Sequence, residues 1–244
     1  MSAAPRIDEL IARLPGAIRR GHTLSDPGQA AFLATGIEDL DRALGGGLPR
    51  GRLSELVGVG SAGGTSLAVR LAAATTAKAE LVAWVDAADA LDPQSMAAGG
   101  VDLERLLWIR PPGELAGFSA AEQLLVLGGF PLVVLDTGAL RRASSLPWLR
   151  LSRAAERSRS ALLVLRRRDP GRSTVRGMRG DCAGDPSDGA AGPLAAIRLE
   201  LPPARALWDR RAGAPCLLDG LLARVDVKRN RGGSGDRRVP VPLR

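Results

Sequence analysis

Apolar residues fall into short runs separated by glycine- and proline-containing breaks, and the runs alternate between two periods. Ile7 to Leu14 (IDELIARL) repeats its apolar residues at helical spacing, and Pro15-Gly16 stops it. Gly21 to Ala34 is polar and loop-like. Gly36 to Leu44 places Ile37, Leu40 and Leu44 on one helical face, and Gly45-Gly46-Gly47 ends it. Leu53 to Val57 reads as a short strand, Gly58 to Gly64 as a glycine-rich loop, and Thr65 to Lys78 as an alanine- and leucine-rich helix. The alternation continues with a strand at Leu81 to Val85, a helix at Pro93 to Ala98 and a strand at Leu106 to Ile109. Then come a helix at Ser119 to Leu127, an all-apolar strand at Pro131 to Leu135, a helix at Leu146 to Arg157 and a strand at Ala161 to Leu165.

Strands alternating with helices predict an α/β fold with a mostly parallel twisted sheet and helices on both faces. An all-apolar strand such as PLVVL fits a position buried on both sides. The pattern changes at Arg166. Arg166 to Gly192 is rich in Gly, Arg, Asp and Ser without apolar periodicity, which predicts a flexible loop over about 166–192. Beyond it, Leu194 to Leu201, Leu221 to Lys228 and Arg238 to Val241 are strand-like with no helix between them, predicting an antiparallel extension on one sheet edge. Residues 1–34 read as an arm and linker, and 35–244 as one core.

The net charge of +8 is concentrated in two segments. Arg166 to Gly180 holds six arginines against one aspartate, and Arg224 to Arg244 holds seven basic residues against two aspartates. Such segments suit phosphate or an acidic partner; solvated arginine loops are the competing reading. Cys182 and Cys216 make neither a disulfide framework nor a metal site. No apolar run reaches the roughly 20 residues of a membrane span, and the N-terminus lacks the pattern of a secretion signal, so the expected location is the cytoplasm. His22, the single histidine, lies in a polar stretch and reads as solvated. Trp84, Trp108 and Trp148 read as core, and Trp208, within PPARALWDRR, as a surface candidate.

The loop from Gly58 to Thr65 (GVGSAGGT) lies between a strand and a helix, where a phosphate-binding loop belongs. Against the pattern G-x-x-x-x-G-K-[ST], Gly58, Gly63 and Thr65 are in place, and Gly60 and Ser66 extend the candidate set. The lysine is replaced by Gly64. That ammonium normally offsets charge on the β- and γ-phosphates, and losing one such group costs on the order of 10²- to 10³-fold in rate. Arg70 and Lys78 on the following helix are candidate substitutes for the charge. Asp136 ends an apolar strand, at the carboxyl edge where ligands of parallel sheets bind and where an Asp can orient Mg²⁺ water.

Four separated segments carry a family likeness. GIEDLDRALGGGLPRGRLSELVGVGSAGGTS resembles the start of the RecA recombinase core, VAWVDAADALDP its catalytic-glutamate segment, FPLVVLDTGA its Walker B strand, and LARVDVKRNR with RVPVPL its late edge strands. The likeness implies a RecA-like P-loop NTPase core. It also implies that Ala88 stands where the family has the glutamate that positions the attacking water, a group worth about 10²- to 10⁴-fold. By the same likeness Arg229 and Arg231 match a basic pair that reaches across a subunit interface, and the helix carrying Ile7, Leu10, Ile11 and Leu14 matches one that docks on a neighbouring subunit. Arg166, Arg167, Arg168 and Arg172 fall where the family has its second DNA-binding loop, but no aromatic residue occurs in 166–192, so any DNA contact there would be to phosphates.

With this length and a decayed loop, the chain is most similar to the ImuA (SulA-like) family. That resemblance implies a non-catalytic accessory protein of the SOS response and translesion synthesis, without ATP or Mg²⁺ as a working cofactor. Its expected partners are RecA, an ImuB-like polymerase homologue and, through phosphates, DNA, with a homo-oligomer also open. The alternatives are an atypical DNA-dependent ATPase of recombinase type and a SulA-like cell-division inhibitor.

Overall fold

The computed structural model describes residues 31–59, 62–138, 145–168, 194–209, 217–231 and 237–243. Eleven strands and five α-helices occur among them. The strands are β1 (Phe32–Leu33), β2 (Leu48–Pro49), β3 (Leu53–Val59), β4 (Val82–Asp86), β5 (Leu106–Ile109), β6 (Leu132–Asp136), β7 (Ala161–Arg168), β8 (Ile197–Leu201), β9 (Arg205–Asp209), β10 (Leu217–Asn230) and β11 (Arg237–Leu243). The helices are α1 (Glu38–Leu44), α2 (Gly64–Thr76), α3 (Pro93–Ala98), α4 (Glu114–Leu127) and α5 (Ser145–Ser158). None of the described helices is long and apolar enough to cross a membrane.

β1 and β2 pair with each other. The other nine strands form one sheet in the order β11-β10-β8-β3-β7-β6-β4-β5, with β9 also on β10. From β8 to β5 every neighbour is parallel. β10 runs antiparallel to β8, β9 and β11, which is the edge extension expected from the sequence. The parallel strands VAWVD and LVVLD are buried along their whole length, as strands covered on both faces must be.

Period-two alternation divides each strand between two cores. Leu56 of β3, Leu163 and Leu165 of β7, and Leu199 of β8 join Leu40, Leu67, Leu71 and Met96 of the first three helices. Leu53, Leu162 and Val164 point the other way, toward Phe118 and Leu125 of α4 and Trp148 and Leu151 of α5. Phe118 and Trp148 meet edge to face at 4.6 Å. Burying side chains of this size is worth about 1.5–3 kcal/mol each, and the two layers clamp the sheet so that its carboxyl edge is held rigid.

Several boundaries differ from the sequence pattern. α4 begins at Glu114, five residues before the expected Ser119, because Gly113 (φ 144°) provides the turn and Gly117 is buried against the sheet side. The stretch containing Trp208 holds a strand, β9, paired with the first half of β10. Trp208 is 53% exposed there. The largest difference is at Arg166, Arg167 and Arg168, expected to open a loop. They continue β7 and pair in parallel with Val57, Gly58 and Val59. Pairing with β3, and an Arg167 N–H bond to the Gly138 carbonyl at 2.8 Å on the other side, supply backbone partners that override the polarity of three arginines. The arm helix with Ile7, Leu10, Ile11 and Leu14, and Gly60, Arg172, His22, Cys182 and Cys216, lie outside the described residues.

Candidate functional site

The carboxyl edge of the parallel strands brings the candidate residues together. A cavity of about 380 Å³ is lined there by Gly58, Gly63, Gly64, Thr65 and Ser66 of the loop and α2, by Asp136 of β6, by Arg166 and Arg167 of β7, and by Leu221 of β10. Asp92 and Ser95 of α3 complete one wall. Arg70 and Lys78 do not line it, so neither takes the place of the missing lysine.

α2 starts at Gly64 after Gly63, which sits at φ 87°. No side chain caps this end and its first turn holds no acidic residue. Its leading N–H groups, at Gly64, Thr65 and Ser66, therefore face the cavity side without a protein carboxylate to satisfy them. A side chain on Gly63 is blocked twice: the backbone is left-handed, and a Cβ would lie 2.5 Å from Leu243 Cδ1. The last strand thus braces the glycine loop from behind. At Gly64 a Cβ would meet nothing within 4 Å. The glycine there is therefore not imposed by crowding at the β-carbon.

Asp136 is almost fully buried, with 4% of its side chain exposed. Its Oδ1 accepts the Gly138 N–H at 2.9 Å, and its Oδ2 lies 3.8 Å from Nη2 of Arg167. Burial pushes the Asp136 carboxyl above the usual aspartate range, with Asp86 adding to the rise, while the Gly138 bond and Arg167 oppose it. Asp86, the register neighbour of Asp136, uses both its oxygens on the backbone. It accepts Ala90 N–H at 3.1 Å and Leu91 N–H at 3.0 Å, and so fixes the turn after β4. Ala88 sits within that turn against Gly138, close enough that a Cβ on Gly138 would stand 3.1 Å from the Ala88 methyl. Asp92 caps α3, accepting the Ser95 hydroxyl at 2.6 Å and N–H at 2.9 Å, and the Gln94 N–H at 3.3 Å. Those bonds, the Ser95 hydroxyl first, hold its carboxyl below the usual range.

The donor set does not fit a divalent cation at Asp136. One of its oxygens is held by a backbone donor, and the other faces a guanidinium, which a dication would have to displace. Unit charges about 4 Å apart interact by about 4 kcal/mol near a protein surface, and less here because Arg167 is 44% exposed.

The neighbouring arginines are engaged differently. Arg166 Nη1 donates to Glu55 Oε1 at 2.6 Å, and Glu55 is fully buried with Arg198 3.7 Å from its other oxygen. Arg168 pairs with Glu200 at 3.3 Å. Of the four arginines singled out for DNA phosphates, Arg166 and Arg168 are thus paired with glutamates, Arg167 faces Asp136, and Arg172 lies outside the described residues. Arg229 and Arg231 lie at the end of β10 that pairs with Arg198 and Ile197, away from the glycine loop of the same chain. Sequence reasoning missed Arg167 as a pocket residue. The available signal was alternation: Leu165 faces the first core beside Asp136, so Arg167, two residues on, shares that face.

The RecA N-terminal domain model matches residues 18–145, more than half of the chain. The RecA protein of Picosynechococcus sp. is 39% identical over 126 residues, which cover 51% of this chain and 35% of that protein. RecA of Trichodesmium erythraeum is 43% identical over 108 residues, covering 44% and 30%. The chain spans about a third of the length of these curated relatives. The crystal structure of the RadB recombinase has the same fold, with a TM-score of 0.63 at 19% identity over 87% of this chain and 96% of that one. With its own N-terminal half matched in this way, the chain belongs to the RecA N-terminal domain family.

Proposed function

We propose that the protein is a non-catalytic RecA-family accessory factor in the SOS DNA damage response, which assists translesion synthesis by binding RecA and an ImuB-like polymerase homologue. One observation carries the non-catalytic half. In the pocket the position matched to the family's lysine is Gly64 and Asp136 faces Arg167, while Ala88, matched to the family's glutamate, lies in the neighbouring turn against Gly138. The two missing groups act at different points of phosphoryl transfer, so their losses multiply to about 10⁴-fold or more. What remains is a folded RecA-type surface, and that supports a role in recognition. The partner assignment rests on the resemblance of the sequence to ImuA.

The test has two arms. Phosphate release from Mg-ATP, with and without single-stranded DNA, is expected to stay at background. Pull-down with purified RecA and with the ImuB-like protein is expected to retain both. Several turnovers per minute, stimulated by DNA and abolished by Thr65→Ala, overturns the reading. A second reading, a recombinase-like nucleotide-responsive protein, is favoured by the cation that Arg167 places in the pocket.

A further inference from the structure

We infer that the outer face of α4 and α5 is a docking surface for a short amphipathic helix of a partner protein, apolar at one end and acidic at the other. The inference goes beyond the partner assignment above, because it names the chemistry recognised and the surface that recognises it. The two helices lie side by side. Phe118 meets Trp148 beneath the surface, and Glu122 accepts Arg150 through both oxygens, at 3.0 and 2.6 Å. Each helix links two parallel strands, α4 from β5 to β6 and α5 from β6 to β7, so both run from the carboxyl edge of the sheet to its amino edge. Their first turns are therefore neighbours, and a shallow groove separates their outer ridges.

The surface has an apolar end and a basic end. Leu115 in the first turn of α4 is 80% exposed and Leu146 in the first turn of α5 is 68% exposed, with Leu149 and Val126 also open to solvent on the same two helices. The other exposed large apolar side chains among the described residues, Phe32, Leu103 and Trp208, lie on three separate elements. Single exposed leucines are ordinary, whereas four such side chains on adjoining helices form a patch. Further along α5, Leu146, Arg150, Arg153 and Arg157 recur three to four residues apart and share one ridge. Arg150 is matched by Glu122. Arg153 and Arg157 form no salt bridge among the described residues, and Glu156 between them is taken by Arg52 at 3.2 Å. Arg157 stands in the last turn, where a cation complements the helix dipole, but Arg153 lies a turn earlier and gains little from it. Leucines at one end of the groove and unmatched cations at the other specify opposite ends of one ligand. From Leu146 to Arg157 the axis rises about 16 Å. The complementary partner is thus a helix of three to four turns, with apolar side chains against Leu115, Leu146 and Leu149 and carboxylates against Arg153 and Arg157.

The probe is a synthetic helical peptide of about 15 residues, with leucines on one face of its first half and glutamates on the same face of its second. A scrambled peptide of the same composition is the control. Fluorescence anisotropy with the full-length protein should show saturable binding at least about 10-fold tighter than the control. Leu146→Asp with Leu149→Asp should weaken it about 10- to 100-fold, the scale of an interface hot spot. Arg153→Glu with Arg157→Glu should weaken it about 3- to 10-fold and flatten its salt dependence. A peptide with lysines for the glutamates should bind that variant and ignore the wild type. All four positions are exposed, so circular dichroism should show both variants folded. The inference is overturned by a scrambled peptide that binds equally, by no binding of either peptide to the wild type, by either folded double variant that binds as the wild type does, or by a charge swap that restores nothing. Analytical ultracentrifugation tests a second copy as the occupant: a wild-type dimer that becomes monomeric in Leu146→Asp with Leu149→Asp overturns the partner helix. Retention of neither RecA nor the ImuB-like protein in pull-down sinks the earlier reading and leaves this one to the peptide result.

Discussion

Arg166 and Arg167 are adjacent, carry the same charge and each face one carboxylate, yet they do opposite things. Arg166 points to the face shared with α4 and α5 and donates to Glu55 at 2.6 Å, where both side chains are shielded from water. Arg167 points to the face shared with α2, lies 3.8 Å from Asp136 and keeps 44% of its side chain in solvent. The first pair is buried and hydrogen-bonded, and the second is half open to solvent and longer than a hydrogen bond. Strand alternation alone assigns the roles. A row of arginines in a sequence is therefore not one feature, and its members must be sorted by face before any is credited with binding.

The largest expected effect breaks the locked pair. Glu55→Ala leaves Arg166 and Arg198 facing a buried gap and should cost about 3–5 kcal/mol in denaturant-unfolding experiments, enough to unfold a marginal domain. Replacing the cluster together, Glu55→Leu with Arg166→Met and Arg198→Met, should recover most of that loss, because well-packed apolar groups often equal a buried ion pair. Failure of the triple variant to recover would mean that the charges specify the register of β3, β7 and β8.

A smaller and opposite effect is expected at the open pair. Burial raises the Asp136 carboxyl above its ordinary value. Just above that value the folded state holds a proton that the unfolded state has released, so this group's contribution to stability falls as pH rises through the raised pKa. Asp136→Asn removes the penalty while keeping an acceptor for Gly138. Melting temperatures should show the variant more stable than wild type near neutrality, with the gap closing as pH falls below the aspartate range. The smallest effect is that of Arg167→Ala on stability, about 1 kcal/mol or less, as for other half-exposed pairs. A loss approaching that of Glu55→Ala would erase the contrast between the two arginines.

Most of the sheet was legible in the residues. VAWVD and LVVLD each run four apolar residues into a final Asp, and such a run between turns suits a strand buried on both faces. Asp136 was readable as a carboxyl-edge acid because it ends one of them. Charge misled where backbone pairing overrode side-chain polarity: Arg166 to Arg168 look like a loop but complete a central strand. β9 was hidden because Pro202-Pro203 and Arg205 mask a five-residue edge strand that exists through pairing with β10. The contacts that define the pocket join residues far apart in the chain. Arg167 with Asp136, and Leu243 with Gly63, depend on strand order, which local periodicity does not encode.

The open surroundings of Gly64 bear on what a single substitution there would do. A lysine at that position would start in open space, since a Cβ there touches nothing within 4 Å. It would also arrive beside a guanidinium already facing Asp136, and two cations would crowd one anchoring carboxylate. Shape leaves the position open, and like-charge repulsion sets the cost of filling it with a cation.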